Sequence, residues 1–152
     1  MILKEKEKAA IEDLRTQEQQ CEAKYHKYGE QANDPVLKDL FQTLEMNERT
    51  HYDSLGQVLK GKVPACDCND LAGKEYAPQA TYKQNSKCQE KMDDCFLATD
   101  CIATEKMVSS EYNTDVFVFD NSDIRKLLAD IQVEEQNHAE MLNKYKVVNG
   151  MR

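Results

Sequence analysis

The second half of this chain repeats the first at an offset of 87 residues. The motif Glu-x-x-His occurs once in each half, and another glutamate precedes each copy by 30 residues. The six repeated positions are Glu18, Glu48, His51, Glu105, Glu135 and His138. A long internal repeat of this kind indicates two copies of one structural unit.

Each unit is predicted to be a helical hairpin. Apolar residues recur every three or four positions through both halves, which is the period of an amphipathic helix. Only five glycines and three prolines occur in 152 residues, so long helices can form. The predicted elements are helix A 3–32, helix B 35–60, a crossover over 61–85, helix C 86–120 and helix D 123–149.

Local signals set several of these ends. Asp34 is a candidate N-cap with Pro35 in the first helical position, and Gly61 ends the second helix. The segment 116–119, with the sequence VFVF, is the chain's only candidate strand, and it has no predicted partner strand. We therefore predict one all-α domain over residues 1–152, a ferritin-like four-helix bundle of two helical hairpins joined by a long crossover.

The repeated glutamates and histidines interrupt the apolar stripe of each helix, where core residues are expected. Burying ionised carboxylates without compensation costs several kcal/mol each, and no lysine or arginine lies beside them on the stripe. Two divalent cations would balance four carboxylates and leave two neutral imidazoles as nitrogen ligands. Mixed oxygen and nitrogen donors favour two Fe or Mn ions, with zinc as an adventitious occupant. The alternative is that these residues lie on a solvated face or form hydrogen-bonded polar pairs in the core.

This ligand inventory resembles that of the ferritin-like superfamily, in particular the single-chain bundles of the bacterioferritin and rubrerythrin type. The stretch NSDIRKLLADIQVEEQNHAEMLNKYKVVNGM also resembles the C-terminal half of the spore coat protein F-like family, ferritin-like proteins of endospore-forming bacteria. This second resemblance rests on EEQNHAEM and the terminal NGM.

The resemblance implies a dinuclear metal site. Glu18 and Glu105 would be terminal ligands, Glu48 and Glu135 bridging ligands, and His51 and His138 nitrogen ligands. No catalytic residue separate from these ligands is expected. The implied reactions are oxidation of Fe(II) by oxygen or peroxide and reduction of peroxide. The rival function is a structural spore coat protein that uses the bundle as a building block, with the site as a stabilising metal clip or as a remnant without metal.

Two departures argue against peroxidase turnover. Ile102 and Val108 flank Glu105 at the positions where rubrerythrin-type sites carry a second carboxylate one turn away. The chain also lacks a C-terminal pair of C-x-x-C motifs, so a built-in electron donor is missing. Tyr25 and Tyr112 are predicted to pack against the site and to hydrogen-bond a ligand glutamate, with plain core packing as the alternative.

The six cysteines fall into two sets. Cys21, Cys95 and Cys101 are predicted to be apolar filler on helices, with a Cys21–Cys101 thiol pair or disulfide on one side of the metals as the alternative. Cys66 and Cys68 lie in the crossover, and Cys88 lies near the start of helix C. For these three, the open interpretations are zinc binding, disulfides or an ordinary loop.

A formal net charge of −8 argues against nucleic acid or an anionic membrane as a partner. No apolar run approaches the ~18 residues of a transmembrane helix, and MILKEKEKAA has no signal-peptide character. We expect a protein that is cytoplasmic when synthesised, with reduced cysteines, and that reaches the spore coat. The expected partners are oxygen or peroxide and further copies of the chain, in a homodimer or a coat assembly.

Overall fold

A computed structural model describes residues 1–65 and 71–152, and every regular element within those ranges is helical. The four long helices are α1 (Glu5–Gln31), α2 (Pro35–Leu59), α4 (Gln89–Asp115) and α5 (Ser122–Val148). A short helix, α3 (Ala72–Glu75), lies in the crossover, and a 3-10 turn (Val116–Val118) follows α4. The all-α prediction is confirmed for the described residues.

Short connections produce the two hairpins, α1 with α2 and α4 with α5, and each pair packs along its length. The second helix of each hairpin has a side-chain cap. Asp34 accepts a hydrogen bond from the Val36 amide with Pro35 next to it, and Asn121 accepts from the amides of Asp123 and Ile124. These caps satisfy amides that a helix start otherwise leaves without partners.

The two hairpins pack so that every neighbouring pair of helices is antiparallel. On one side, Tyr25 of α1 contacts Glu105 of α4, whereas the earlier residue Glu18 contacts the later residue Tyr112. On the other side, Asn47 of α2 contacts His138 of α5, whereas the later residue His51 contacts the earlier residue Glu134. This arrangement requires the link from α2 to α4 to run the length of the bundle, as a long crossover would. The ferritin-like relationship itself remains a prediction.

The helix ends lie within three residues of the predicted ones, except at the end of helix C. That helix ends at Asp115 instead of residue 120, and the VFVF segment forms the 3-10 turn, so the strand alternative is wrong. The predicted crossover contains the short helix α3, which packs against α5. Gly73 makes this packing close, because a Cβ atom there would lie 2.6 Å from a Glu140 carboxylate oxygen.

The core consists of two apolar clusters separated by a polar layer in the middle of the bundle. Along α2, the leucines before Glu48 belong to one cluster and Leu55 belongs to the other; along α5 the order is reversed. Within residues 1–65 and 71–152, none of the helices combines the length and apolar character that a membrane crossing needs.

Candidate metal centre

The polar layer consists of the six repeated residues, one glutamate from each long helix and one histidine each from α2 and α5. All six are at most 2 % exposed. The alternative that they lie on a solvated helix face is therefore wrong. Their position follows from the helical period, because each occupies a place on the apolar stripe between buried residues one turn away.

The layer divides into two groups of potential ligands whose donor atoms lie within 4.8 Å of one another. The His51 group also contains Glu18, Glu48 and Glu135, and the His138 group also contains Glu48, Glu105 and Glu135. Glu48 and Glu135 belong to both groups. This is the connectivity expected of a dinuclear site with two bridging and two terminal carboxylates.

Each imidazole directs its Nδ1 atom at three carboxylates. His51 Nδ1 lies 3.1 Å from Glu135 Oε1, 3.4 Å from Glu48 Oε2 and 3.6 Å from Glu18 Oε2. The two imidazole rings are stacked, with centroids 5.8 Å apart and planes inclined by 15°. The two groups therefore lie side by side in one layer.

The His138 group repeats this geometry. His138 Nδ1 lies 3.1 Å from Glu48 Oε1, 3.4 Å from Glu105 Oε1 and 3.7 Å from Glu135 Oε2. Each histidine thus faces the same two shared glutamates and one terminal glutamate of its own. The pseudo-two-fold symmetry expected from the sequence repeat is present in the geometry of the layer.

Six buried side-chain atoms in this layer have no hydrogen-bond partner among the described residues. They are Glu18 Oε2, Glu48 Oε2, His51 Nδ1, Glu105 Oε2 and both carboxylate oxygens of Glu135. His51 Nδ1 is close to Glu135 but lacks hydrogen-bond directionality, so the donor atoms converge without pairing. Buried polar atoms are normally paired, and such a concentration of unpaired oxygen and nitrogen ligands fits bound cations.

Tyr25 and Tyr112 each hydrogen-bond a terminal glutamate of the opposite hairpin. The Tyr25 hydroxyl donates to Glu105 Oε1, and the Tyr112 hydroxyl donates to Glu18 Oε1; all four side chains are buried. Each tyrosine fixes one carboxylate oxygen and leaves the Oε2 atom of that glutamate without a partner. The hydroxyls therefore orient the two terminal glutamates toward the centre of the layer.

Burial makes the terminal glutamates poor acids when no cation is bound. Removal from water, followed by the nearby charge of Glu48, raises the pKa of Glu18 to about 8. Removal from water and the charge of Glu135 likewise raise the pKa of Glu105 to about 8. At neutral pH the metal-free layer therefore retains protons that a divalent cation would displace.

The histidines respond in the opposite direction to burial. Removal from water alone would lower the pKa of His51, but the carboxylates of Glu18 and Glu134 more than offset this, and the pKa lies well above its usual value. Burial alone would also lower the pKa of His138, but the charge of Glu105 more than offsets this, and the pKa lies well above its usual value. Both imidazoles must lose this extra proton before Nδ1 can bind a metal.

These pKa values predict how the stability of the metal-free chain depends on pH. Glu18 and Glu105 titrate near 4.5 when unfolded and near 8 when folded, so the folded form binds more protons between those values. Their contribution to stability is complete below about pH 4.5 and is lost as the pH rises through about 8. With chelator present, the melting temperature should fall between about pH 6 and about pH 9. A constant or rising melting temperature would contradict these protonation states, and Glu18→Gln should flatten the dependence.

Two further residues, Glu134 and Asn47, contact the far side of the imidazoles. His51 Nε2 lies 2.6 Å from Glu134 Oε2, and His138 Nε2 lies 3.3 Å from the Asn47 side-chain amide. The sequence reasoning did not identify either residue. The available signal was the repeat, since Asn47 and Glu134 are aligned at the same offset of 87 and each directly precedes a shared glutamate.

The four cysteines that the structure describes add no ligand to the layer. Cys21 and Cys101 are buried and free and belong to different core clusters, so the thiol-pair alternative is wrong. Burial and nearby carboxylates raise the pKa of both thiols, which keeps them protonated and consistent with apolar filler. Cys88 and Cys95 are free and partly exposed, and the predictions for Cys66 and Cys68 lie outside the described residues.

A model of the Coat F domain matches residues 93–151, which include most of α4 and all of α5. The matched segment contains Glu105, Glu135 and His138, half of the candidate ligands. No curated protein and no solved structure matches the chain. The C-terminal hairpin is therefore similar to the Coat F domain, as the resemblance of its sequence predicted.

Proposed function

We propose that this chain is a spore coat protein whose helical bundle is stabilised by two divalent cations in the polar layer. The coat role is supported by the similarity of residues 93–151 to the Coat F domain. The metal role is supported by one observation above all, the six buried donor atoms that have no partner in the described part of the chain. The structural alternative and the metal site are thus combined in one function.

The cations would act as a clip between the two hairpins. Glu18 and Glu105 would each bind one cation, Glu48 and Glu135 would contact both, and one histidine would complete each group. When bound, the cations would supply the positive charge that the carboxylates lack. Each cation that binds the folded state alone stabilises it by about 2.7 kcal/mol when that cation is at one hundred times its dissociation constant.

Two measurements test the two parts of this proposal separately. Elemental analysis after loading with Fe(II) or Mn(II) and removal of free ions should give about two ions per chain, one for each histidine group. An antibody against the chain should detect it in coat extracts of spores from its source organism. Absence from the coat would overturn the coat role, and a metal-free protein after loading would overturn the clip.

A redox reaction is a second candidate for the same site. A groove of about 980 Å³ runs between α1 and α4, and Cys21 and Val108 on its lining each lie one turn after a terminal glutamate. A small uncharged oxidant could approach the layer along this groove. Two Fe(II) ions held by the six candidate ligands would supply two electrons, which with two protons would reduce one oxygen molecule to hydrogen peroxide.

Oxygen consumption separates this candidate from a purely structural clip. The protein is loaded with Fe(II) without oxygen, and oxygen is then added. If the site carries out the reaction, oxygen should be consumed faster than by the same concentration of Fe(II) alone. Loaded protein that consumes oxygen no faster than free Fe(II), while still binding two ions, would leave the clip as the function of the site. Substitution of Glu48 provides the matched site-free control.

A further inference from the structure

We infer that the two cation positions are unequal, and that Glu134 makes the His51 group the tighter one, which fills first. This inference rests on the proposed metal function and concerns a residue outside the six candidate ligands. The two groups have the same ligand types, and each contains the shared Glu48 and Glu135. Any difference between them must therefore come from their surroundings.

The two imidazoles differ in what their outer nitrogen contacts. Both direct Nδ1 at the carboxylates, so Nε2 points away from the centre in each case. His51 Nε2 contacts a carboxylate, Glu134 Oε2, at 2.6 Å. His138 Nε2 contacts the neutral side-chain amide of Asn47 at 3.3 Å. The contact of His51 is thus shorter and charged.

A neutral histidine that binds a metal through Nδ1 carries its proton on Nε2 and donates it there. Glu134 can only accept when it is ionised, so it selects the required tautomer of His51. Asn47 offers His138 a neutral amide, which can accept this proton only through Oδ1 and selects no charge state. The His51 side is therefore held in the metal-binding tautomer by a short contact to a carboxylate, whereas the His138 side has a longer contact to a neutral group.

Charge adds to this difference. Each group contains three glutamates, and Glu134 places a fourth carboxylate behind His51, where the other group has an uncharged amide. A hydrogen bond to a carboxylate is roughly twice as strong as a neutral one and makes the imidazole a stronger ligand. Loss of such an outer partner typically lowers metal affinity by about 10–100-fold.

The test measures Mn(II) binding to purified protein by calorimetry and electron paramagnetic resonance. We expect two binding steps, with the first equivalent giving the spectrum of isolated Mn(II). His138→Ala should retain the tight step and His51→Ala should lose it, which assigns the step to one group. Glu134→Gln should weaken the first step by about 10–100-fold and keep two ions per chain.

Asn47→Asp is the matched variant, because it gives the second histidine a carboxylate partner without changing side-chain size. It should tighten binding of the second Mn(II) ion and reduce the ratio between the two dissociation constants. The inference would be overturned by an unchanged dissociation constant for the first Mn(II) ion in Glu134→Gln. Tight binding retained in His51→Ala would also overturn it. Failure of the wild-type protein to bind Mn(II) would instead overturn the proposed function, and circular dichroism would verify that each variant is folded.

Discussion

Glu48→Gln should remove both cations from the protein, whereas His138→Ala should remove one. Glu48 belongs to both groups of donor atoms, and His138 belongs to one. Glutamine keeps the size of the side chain and can still accept the hydrogen bond from His138, but it lacks the charge that both cations require. Elemental analysis of the loaded variants should therefore give about two, none and one ion per chain for wild type, Glu48→Gln and His138→Ala.

The same substitution should abolish the stabilisation that metal provides. With each of the two cations at one hundred times its dissociation constant, binding adds about 2.7 kcal/mol per ion, or about 5.4 kcal/mol together. At about 2–4 °C per kcal/mol for a chain of this size, wild-type protein should melt about 11–22 °C higher when loaded. Glu48→Gln should show no such increase. In chelator it should be less stable than wild type. Burial alone would raise the pKa of Glu48, but its buried partners, among them His138 and His51, lower it, so the folded state favours the carboxylate that glutamine removes.

Glu12→Gln is the control for this experiment, since Glu12 is an exposed glutamate of α1. It should bind two ions and show the wild-type melting shift. Equal metal content in Glu48→Gln and wild type would contradict the site. A rise in melting temperature on loading that is as large in Glu48→Gln as in wild type would contradict the clip.

Helix positions were predictable because their determinants are local. Asp34 with Pro35 specifies the start of α2 within a few residues of sequence, and Asn121 does so for α5. The end of α4 was not predictable from the same kind of signal. The VFVF segment has no glycine or proline, and only its packing against α5 reveals the 3-10 turn.

The six candidate ligands were predictable because a charged residue on an apolar stripe can be recognised from the sequence. The offset of the helices along the bundle could not be predicted in this way. A Cys21–Cys101 pair would need the two thiols at one level, but the Tyr25–Glu105 and Tyr112–Glu18 hydrogen bonds show that the backbones of α1 and α4 are offset along the bundle. That offset places the two thiols in separate clusters.

Glu134 illustrates a second limit. It is a partly exposed glutamate in an acidic chain, and nothing in its own position distinguishes it from a solvated residue. Its contact with His51 depends on the distance between α2 and α5, which is set by packing over the whole hairpin pair. The repeat aligns Glu134 with Asn47, but this indicates a role for Glu134 only once the structure shows that Asn47 contacts His138.

Asp94→Ala should lower the free energy of unfolding by about 3 kcal/mol, the largest loss expected outside the metal layer. Asp94 is fully buried and accepts hydrogen bonds from the amides of Asn33 and Asp34, at 2.8 and 2.9 Å, and from the Tyr82 hydroxyl at 2.7 Å. It thereby joins the α1–α2 turn and the crossover to the start of α4. Alanine would leave these donors without an acceptor in a site largely closed to water.

Thermal unfolding would measure this effect as a fall in melting temperature of about 6–12 °C. Asp93→Ala is the matched control, because the neighbouring carboxylate is exposed and accepts a surface hydrogen bond from Gln89. It should change stability by less than about 0.5 kcal/mol. Asp94 contacts none of the candidate ligands, so folded Asp94→Ala protein should still bind two cations. Loss of metal from that folded protein would mean that contacts at the crossover end of the bundle set the distance between the hairpins at the polar layer. Metal binding would then depend on the crossover as well as on the six candidate ligands.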